Sequence, residues 1–375
     1  MKYRIIFLIV VAFSLVKFDT AYGQNVSINA PNITADAAIL IDGRTGQVLY
    51  EKNSQQKCPP ASTTKIMTAI IALEGGNLET LVSVSPKAAA IGESSIHLTP
   101  YEKLTLNDLL YGAMLRSGND ACVAIAEHIA GSEDMFVNFM NHHAKILGGY
   151  NTHFCNTNGL PNDLHHSSAY DLAMFAKYAM TNEKFCDIVR TRQRVIANAD
   201  GMDRYLRNTN KLLWSYSWVD GIKTGTTNAA GCCLVTSANK EGRHLIAVVL
   251  HSDDRYGDTL KLLNYGLENF EEVVVLTKGE HFTTVRVEDG YHQTVPIVAA
   301  ESMNILVPKW DKGTFEQRLT LERQMVAPVR AHCKVGEVTV NVNDREVGRV
   351  DLITASAVTK LPKHLLIYQR MCDYL

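Results

Sequence analysis

The sequence predicts an α+β fold for most of the chain, in which helices cover an antiparallel sheet, followed by a small all-β module. Two observations predict this arrangement. β-prone hairpins stand at both ends of the stretch before Glu272, and helical patterns fill the sequence between them. From Glu272 onward, short alternating segments separated by turn residues replace those patterns. Hydrophobic residues make up 46% of the 375-residue chain, which is ample for two packed cores.

Two hairpin patterns define the predicted sheet. Each consists of two apolar, β-prone runs on either side of a turn-forming sequence. Residues 37–42 and 47–52 flank Gly43-Arg44-Thr45-Gly46, and residues 231–238 and 244–251 flank Asn239-Lys240-Glu241-Gly242. Since hairpins join antiparallel neighbours, we expect these runs in an antiparallel sheet.

Apolar residues recur at helical spacing in five segments of the first domain. The first segment runs from Ser62 to Glu74 and stops at Gly75-Gly76, a pair that favours helix termination. We expect Asp171 to be an N-terminal cap of the fourth. The remaining predicted helices are 106–115, 120–129, 169–181 and 259–270.

The start of the chain has the pattern of a secretory signal. Lys2 and Arg4 precede an apolar stretch, and Ala21-Tyr22-Gly23 supplies small residues at the cleavage positions. An uncleaved anchor is the alternative. The sequence therefore predicts an exported chain with a signal peptide at 1–23, a first domain at 24–271 and a β-rich domain at 272–359.

The tail, 360–375, has apolar residues on one helical stripe beside lysine and arginine. This pattern fits an amphipathic anchor, a helix that lies on an anionic membrane surface. It fits a helix packed on the β module equally well, and the two interpretations stay open.

Charge and cysteine usage exclude several kinds of partner. The formal net charge of −2 offers no basic surface for nucleic acid. Four of the eight cysteines, Cys122, Cys186, Cys232 and Cys233, lie in apolar helix or strand patterns, which favours free thiols, although pairing between distant cysteines such as Cys333 and Cys372 stays open. The chain contains no C-x-x-C and no H-E-x-x-H sequence, so we expect no metal and no cofactor.

One short segment, Ser62-Thr63-Thr64-Lys65, combines a nucleophile with a base. A serine hydroxyl attacks only when a base within hydrogen-bond reach takes its proton. Residues three apart on a helix share a face, so Lys65 can stand beside Ser62. A lysine amine that is buried among apolar neighbours also loses its proton more readily. S-x-x-K alone is common, so its meaning depends on the rest of the chain.

Two further segments supply the other parts of an acyl-transfer site. Ser117-Gly118-Asn119 lies between two predicted helices, where side chains can point into a cleft. Lys223-Thr224-Gly225 precedes strand-like sequence, and we expect Gly225 to let a substrate backbone approach closely. Acyl transfer needs a nucleophile, a base, a proton path to the leaving group and donors for the oxyanion. The three segments contain residues of these types.

Together the three segments resemble the signature of the penicillin-binding serine peptidases, S-x-x-K, S-x-N and K-T-G. The resemblance is closest to the low-molecular-mass D-alanyl-D-alanine carboxypeptidases, serine peptidase family S11. It extends to Asn158-Gly159-Leu160, to His166-Ser167-Ser168-Ala169-Tyr170-Asp171-Leu172 and to Ala230-Gly231. The trailing module also resembles that family's C-terminal domain.

This resemblance implies a β-lactamase/transpeptidase-like first domain and an enzyme that removes the terminal D-alanine from peptidoglycan pentapeptide stems. It also implies that β-lactam antibiotics acylate the enzyme. Ser62 would be the nucleophile, Lys65 its base, and Ser117 the relay of a proton to the departing D-alanine. The backbone N–H groups of Ser62 and Thr226 would hold the oxyanion.

The same resemblance implies a set of substrate-binding residues. Asn119 would hold Lys65 or the substrate amide, and Lys223 would set a positive potential. Thr224 and Arg255 would meet the terminal carboxylate of the substrate. The full set is Asn119, Lys223, Thr224, Gly225, Thr226 and Arg255.

Two other functions are compatible with part of the pattern. A serine β-lactamase shares S-x-x-K and K-T-G, but it needs a carboxylate that activates water, and no E-x-x-L-N segment stands between Asn119 and Lys223. A non-catalytic peptidoglycan-binding protein would not require the complete set of residues. Carboxypeptidation, transpeptidation and endopeptidation differ in the acceptor and the cleft, which motifs do not report.

Overall fold

A computed structural model describes residues 30–197, 203–310, 315–342 and 345–372, with side chains up to Ile367 in the last range. The described residues form two compact units that divide between Asn269 and Phe270. The predicted signal peptide at 1–23 lies outside the described residues, as do the last three residues of the tail.

Nine strands belong to the first unit. They are β1 (Ala37–Asp42), β2 (Val48–Lys52), β3 (Leu81–Ser83), β4 (Lys103–Thr105), β5 (Gln193–Ala197), β6 (Asp203–Arg207), β7 (Lys223–Thr227), β8 (Gly231–Lys240) and β9 (Arg243–Ser252). Five of them form one antiparallel sheet in the order β2-β1-β9-β8-β7, so that β7 is an edge strand. The pairs β3–β4 and β5–β6 form two separate two-stranded antiparallel sheets.

All but the last of the described helices of this unit lie between the two hairpins of the sheet in the chain, and the last helix follows the second hairpin. The helices are α1 (Lys65–Gly75), α2 (Pro86–Ala89), α3 (Leu106–Leu115), α4 (Asn119–Ala130), α5 (Glu133–Ile146), α6 (Ala169–Ala179), α7 (Glu183–Arg190), α8 (Leu212–Ser215) and α9 (Arg255–Asn269). A 3₁₀ turn, Ala61–Thr64, precedes α1 directly.

Helices cover both faces of the sheet, which confirms the predicted α+β class. On β1, Ile39 and Ile41 face the main core, to which α1, α3, α4 and α6 contribute. Leu40 faces α9, where a Cβ on Gly266 would lie only 2.8 Å from its side chain. Every residue of β1 is buried and all but Asp42 are apolar, as expected for a strand that is covered on both faces.

Three predictions about the starts of helices need correction. The helix predicted from residue 259 begins at Arg255. Ser62 lies in the 3₁₀ turn, and α1 begins only at Lys65. The prediction that Asp171 caps α6 is wrong, because Ser168 is the N-cap and its hydroxyl accepts the Asp171 N–H at 3.1 Å. The Asp171 carboxylate instead accepts from the Asn151 N–H at 2.8 Å and the Thr152 hydroxyl at 2.7 Å.

The second unit is built mainly from strands. They are β10 (Phe270–Leu276), β11 (His281–Glu288), β12 (Thr294–Ala299), β13 (Met303–Pro308), β14 (Phe315–Leu321), β15 (Gln324–Val326), β16 (Lys334–Val342) and β17 (Arg345–Thr354), and the helix α10 (Lys363–Cys372) follows. Six strands form a sheet in the order β14-β16-β17-β12-β11-β15, and β10 pairs with β13. Alternating valine, isoleucine and leucine side chains give this unit its own core.

The described side chains include seven cysteines, all with free thiols. Within these same residues, no group of three or more His, Cys, Asp or Glu side chains is placed to hold a metal ion. No helix in the described ranges is both long and apolar enough to cross a membrane.

Candidate active site

The turn that carries Ser62 is held by the residues on either side of it. Pro60 accepts two hydrogen bonds from Thr63 through its carbonyl oxygen, one from the N–H at 3.2 Å and one from the hydroxyl at 2.6 Å. Ser62 is half-buried, while Lys65 is fully buried at the start of α1. The nucleophile therefore faces a cleft and the lysine stands behind it.

Lys65 has three hydrogen-bond partners. Its Nζ lies 2.8 Å from Ser62 Oγ, 2.8 Å from Asn119 Oδ1 and 2.7 Å from the carbonyl oxygen of Asn158. Two of these partners can only accept, so a neutral amine would give both its protons to them. Its lone pair is then left for the Ser62 hydroxyl, which is the geometry of a serine and its base.

The Asn119 side chain has one possible orientation in this network. Its Nδ2 donates to the carbonyl oxygen of Gly92 at 2.9 Å, and a carbonyl can only accept. Oδ1 is therefore the atom that faces Lys65. Of the two roles expected for Asn119, the structure places it on the Lys65 side.

Burial lowers the pKa of Lys65 from 10.5 to about 8. The low-dielectric surroundings disfavour the ammonium form, and the carboxylates of Asp120 and Glu93 offset this effect only in part. A pKa near 8 keeps a substantial fraction of neutral amine at neutral pH, as a general base requires.

Ser117 stands at the junction of α3 and α4 with a left-handed backbone, φ +65°. The junction is closed by hydrogen bonds from the Gly118 N–H to the Gly112 carbonyl at 3.1 Å and from the Asn119 N–H to the Ser94 carbonyl at 2.7 Å. A serine in this conformation is uncommon and needs such support. The Ser117 side chain lines the same cleft as Ser62.

The lysine of the third segment is not at the surface. Lys223 is 1% exposed on the edge strand β7, and its Nζ donates to the Thr224 carbonyl at 3.0 Å. Burial, together with the positive charge of Lys65, holds the pKa of Lys223 well below its ordinary value. Two buried lysines thus lie behind the cleft and oppose each other's protonation.

We expected a glycine at position 225 to let a substrate backbone approach closely, but the structure gives a different reason for it. A Cβ at this position would lie 3.1 Å from each of Ala61 Cβ, the Pro60 carbonyl oxygen and the Ser62 backbone nitrogen. The turn that carries Ser62 packs closely against β7 at this position. The glycine lets the edge of β7 run beside the Ser62 N–H.

Arg255, at the first position of α9, is bound to β7. Its Nη1 donates to the carbonyl oxygens of Gly225 at 2.7 Å and Cys233 at 3.1 Å, and its Nη2 donates to Thr226 Oγ1 at 2.8 Å. The Thr224 hydroxyl lies 2.7 Å from that of Thr209. These contacts place a guanidinium and two hydroxyl groups along one wall of the cleft.

The cleft in front of Ser62 has a volume of about 330 Å³. Six of the residues predicted from the sequence line it: Ser62, Ser117, Thr224, Gly225, Thr226 and Arg255. The other three, Lys65, Asn119 and Lys223, are buried. Sequence reasoning missed the rest of the lining, which comprises Glu93, Ser94, Ser95, His97, Arg116, Thr209 and Tyr256.

Residues 93–98 form the part of the cleft wall that the sequence did not predict, and the buried carboxylate of Asp120 holds them in place. Asp120 Oδ2 accepts from the Ser95 hydroxyl at 2.5 Å and from the Leu98 N–H at 3.1 Å, and the Ile96 N–H lies 3.2 and 3.1 Å from its two oxygens. An acidic residue in the first turn of α4, directly after Asn119, was the available signal. It indicates a helix N-terminus and does not identify the loop that it binds.

The sequence matches two family models. Residues 24–254 match the model described as D-alanyl-D-alanine carboxypeptidase, peptidase S11, and residues 270–360 match the C-terminal domain of penicillin-binding protein 5. Together these matches span most of the chain.

Individual proteins give the same result. D-alanyl-D-alanine carboxypeptidase DacF of Bacillus subtilis (strain 168) is 36% identical over 84% of this chain and 82% of its own length. D-alanyl-D-alanine carboxypeptidase DacD of Escherichia coli (strain K12) is 33% identical over 98% of this chain and 98% of its own length. The crystal structure of penicillin binding protein 5 from Haemophilus influenzae superimposes with a TM-score of 0.75 at 29% identity, and covers 89% of this chain and 100% of that chain.

Proposed function

Since the chain belongs to the D-alanyl-D-alanine carboxypeptidase family of serine peptidases, we propose that Ser62 is the residue that carries the acyl group in its reaction. The enzyme is a serine-type D-Ala-D-Ala carboxypeptidase. The observation that carries the proposal is the contact of 2.8 Å between Lys65 Nζ and Ser62 Oγ, with the other two partners of Nζ able only to accept.

Acylation starts from the neutral amine of Lys65. It takes the proton of the Ser62 hydroxyl as Oγ attacks the carbonyl carbon of the penultimate D-alanine. The backbone N–H groups of Ser62 and Thr226 stabilise the resulting oxyanion. What supports this assignment is the passage of β7 beside the Ser62 N–H, made possible by Gly225.

Collapse of the tetrahedral intermediate needs a proton on the leaving nitrogen. Ser117, whose side chain lines the cleft, relays this proton from Lys65 to the terminal D-alanine as the C–N bond breaks. The products of this half-reaction are free D-alanine and an ester on Ser62. Water then attacks the ester with Lys65 as base, which releases the shortened stem and restores the Ser62 hydroxyl.

The free carboxylate of the terminal D-alanine meets the wall formed by Thr224, Thr226 and Arg255. The guanidinium supplies charge, and the Thr224 hydroxyl supplies a donor, since the Thr226 hydroxyl already donates to the Gly225 carbonyl at 2.8 Å. Lys223 lies buried behind this wall, and because its pKa is held well below the ordinary value, it adds positive potential only in its protonated fraction. This arrangement favours a substrate that ends in a carboxylate over an internal peptide bond.

The test is mass spectrometry of a muropeptide with a pentapeptide stem, incubated with wild type and with Ser62→Ala. We expect wild type to release a single D-alanine and Ser62→Ala to leave the substrate intact. Cross-linked or cleaved dimers would redirect the proposal to transpeptidation or endopeptidation. Equal turnover by Ser62→Ala would refute the assignment of the nucleophile.

Penicillins test the two rival functions. We propose that a penicillin acylates Ser62 and is released slowly, because this chain has no E-x-x-L-N segment between Asn119 and Lys223 to supply the water-activating carboxylate of the β-lactamases. Rapid steady-state hydrolysis of penicillin would support the β-lactamase alternative. Absence of labelling would support a non-catalytic peptidoglycan-binding protein.

We propose that the protein acts outside the cytoplasm on peptidoglycan, and so in cell wall biogenesis and cell shape, after removal of the signal peptide at 1–23. The proposed domain limits remain 24–271 and 272–359. The tail, 360–375, would contact the membrane surface through α10. On the predicted apolar stripe of the tail, Leu365 is 39% exposed, so its side chain is available to a lipid surface.

Vesicle sedimentation of the mature protein tests the membrane contact. With anionic vesicles, we expect the full chain to sediment and a chain that ends at Thr359 to stay in the supernatant. Leu365→Gln should reduce the sedimented fraction without affecting penicillin binding. Full sedimentation of the truncated chain would overturn the assignment of the tail.

A further inference from the structure

His165 lies directly behind the turn that carries the nucleophile, and none of the roles above uses it. Its side chain is 4% exposed. Nδ1 lies 3.1 Å from the backbone nitrogen of Cys155, and Nε2 lies 2.9 Å from Thr64 Oγ1. The ring also makes an edge-to-face contact with Phe154, with 5.6 Å between ring centroids.

These two contacts define the protonation state of the imidazole. A backbone N–H can only donate, so Nδ1 must accept and carries no proton. Nε2 therefore bears the proton of the neutral ring and donates it to the Thr64 hydroxyl. Burial and the nearby His153 and His166 lower the pKa of His165 to about 4, in agreement with a neutral ring.

The two hydrogen bonds join the two segments that set the position of Lys65. Thr64 is fully buried and immediately precedes Lys65 in the chain. Cys155 begins the turn whose Asn158 carbonyl accepts from Lys65 Nζ at 2.7 Å. Asn156 closes that turn, since its Oδ1 accepts the Gly159 N–H at 2.7 Å. His165 thus links both supports of the base.

We propose that His165 is a positioning residue for the Ser62–Lys65 pair, which acts by hydrogen-bonding Thr64 on one side and the Cys155 backbone on the other. It takes no part in proton transfer, because the turn separates it from the cleft that Ser62 and Ser117 line. Because the imidazole ring is rigid, its donor, Nε2, and its acceptor, Nδ1, stay at a fixed distance from each other. This inference rests on the proposed function of Ser62 and Lys65.

A double-mutant cycle tests the proposal. Thr64→Val removes the hydroxyl with little change of shape, and His165→Phe keeps the ring and its contact with Phe154. The readout is the second-order rate constant for acylation by a fluorescent penicillin. We expect each variant to lose about tenfold, within the range for misplaced catalytic groups, and the double variant to lose no more than the worse single one. His165→Gln, which offers an acceptor and a donor, should recover most of the rate.

A role limited to folding would not move the pH dependence of acylation, so this profile is the second readout. With its supports loosened, Lys65 regains contact with water, and the rising limb of the profile should move to higher pH. The groups that face Lys65, namely Cys122, Asp120, Glu93 and Lys223, are the same in all variants. His166→Phe is the matched control, because His166 Nδ1 bonds only to the Leu164 carbonyl of its own loop, and it should behave as wild type.

The outcomes separate this inference from the proposed function. If wild type is not labelled at Ser62, the proposed function fails. If wild type is labelled and Thr64→Val, folded by its melting curve, keeps the wild-type rate and pH profile, the positioning role of His165 is refuted. Multiplicative losses in the double variant would also refute it, because they would mean that Thr64 and His165 act separately. If His165→Phe does not fold, the acylation rates and pH profiles of Thr64→Val and His165→Gln decide whether His165 has the positioning role.

Discussion

At the scale of single residues, the chemistry depends on how easily Lys65 gives up its proton. A lysine with a pKa near 8 is neutral in about one molecule in ten at pH 7, against about one in three thousand at the ordinary value. Burial therefore raises the population of active base several hundredfold. No other described group near Ser62 combines a lone pair with a distance of 2.8 Å from its hydroxyl.

We therefore predict that acylation by penicillin accelerates as the pH rises through about 8, and then levels off. The direction follows because the deprotonated form of Lys65 is the active one. Stopped-flow acylation rates between pH 6 and 9.5 would measure it. Lys65→Arg keeps the charge but cannot act as a base at these pH values, and it should lose about a thousandfold or more. A flat or falling profile would contradict this account of Lys65.

Ser117 offers a second prediction, which separates conformation from chemistry. Its left-handed backbone costs a non-glycine residue roughly 1–2 kcal/mol. Ser117→Gly relieves that strain and Ser117→Ala does not, so the glycine variant should be the more stable, by about 1 kcal/mol in urea unfolding. Both variants lose the hydroxyl and should lose carboxypeptidase activity alike. An active Ser117→Ala enzyme would exclude the proton relay.

The three motifs name seven of the nine candidate residues, and the family resemblance supplied the other two, Thr226 and Arg255. The sequence did not predict their supports. Asn158 contributes a backbone carbonyl, which has no residue-type signal, and Asp120 and His165 act across 24 and 101 positions of sequence on Ile96 and Thr64. Such contacts depend on tertiary packing, which local patterns do not report.

At the scale of elements, the geometry of the site depends on the close packing of the edge strand β7 against the 3₁₀ turn that carries Ser62. We predict that Gly225→Ala forces them apart, because its Cβ would press on Ser62 N, Pro60 and Ala61 at 3.1 Å. Unfolding experiments should show a loss of about 1–3 kcal/mol, and acylation should fall about a hundredfold.

Gly75→Ala is the matched control for this change. Its Cβ would make only an ordinary contact, 3.7 Å from Ile129, at the far end of α1. It should leave acylation unchanged and leave stability equal or slightly raised. If Gly225→Ala acylates like this control, close packing of β7 on the turn is not needed for activity.

Elements with strong apolar patterns were predicted from the sequence, and polar elements were not. The helix α5, Glu133–Ile146, was missed although Ser132 caps it, because only Phe136, Met140 and Ala144 are buried on it. The mostly exposed hairpin β5–β6 was missed for the same reason. The start of α9 was placed four residues late, since Arg255 begins a helix whose first turn is polar.

At the scale of the whole molecule, every residue of the site lies within residues 60–256, inside the first compact unit. This unit has its own hydrophobic core, and so does the second. We predict that a chain of residues 24–269 folds, and that it is acylated by penicillin at the rate of the full mature chain. Comparison of both chains by labelling kinetics and thermal unfolding measures this. A truncated chain that folds but is not labelled would contradict the independence of the site.

The change of pattern near Glu272 predicted a second module because alternation of period two differs from the helical spacing before it. The strand order of that module could not be predicted, since it depends on pairings such as β12 with β17, between segments far apart in the chain. The sequence did not predict which surface the tail contacts, because one amphipathic stripe suits a lipid surface and a protein surface equally.

The central claim is that Ser62 is acylated with Lys65 as its base. Peptide mapping by mass spectrometry after a brief exposure to a penicillin tests it most directly. The account predicts one adduct in wild type, on the peptide that contains Ser62, no adduct in Ser62→Ala, and a strongly slowed adduct at the same serine in Lys65→Arg. An adduct on any other residue, or equal labelling of Ser62→Ala, would contradict it.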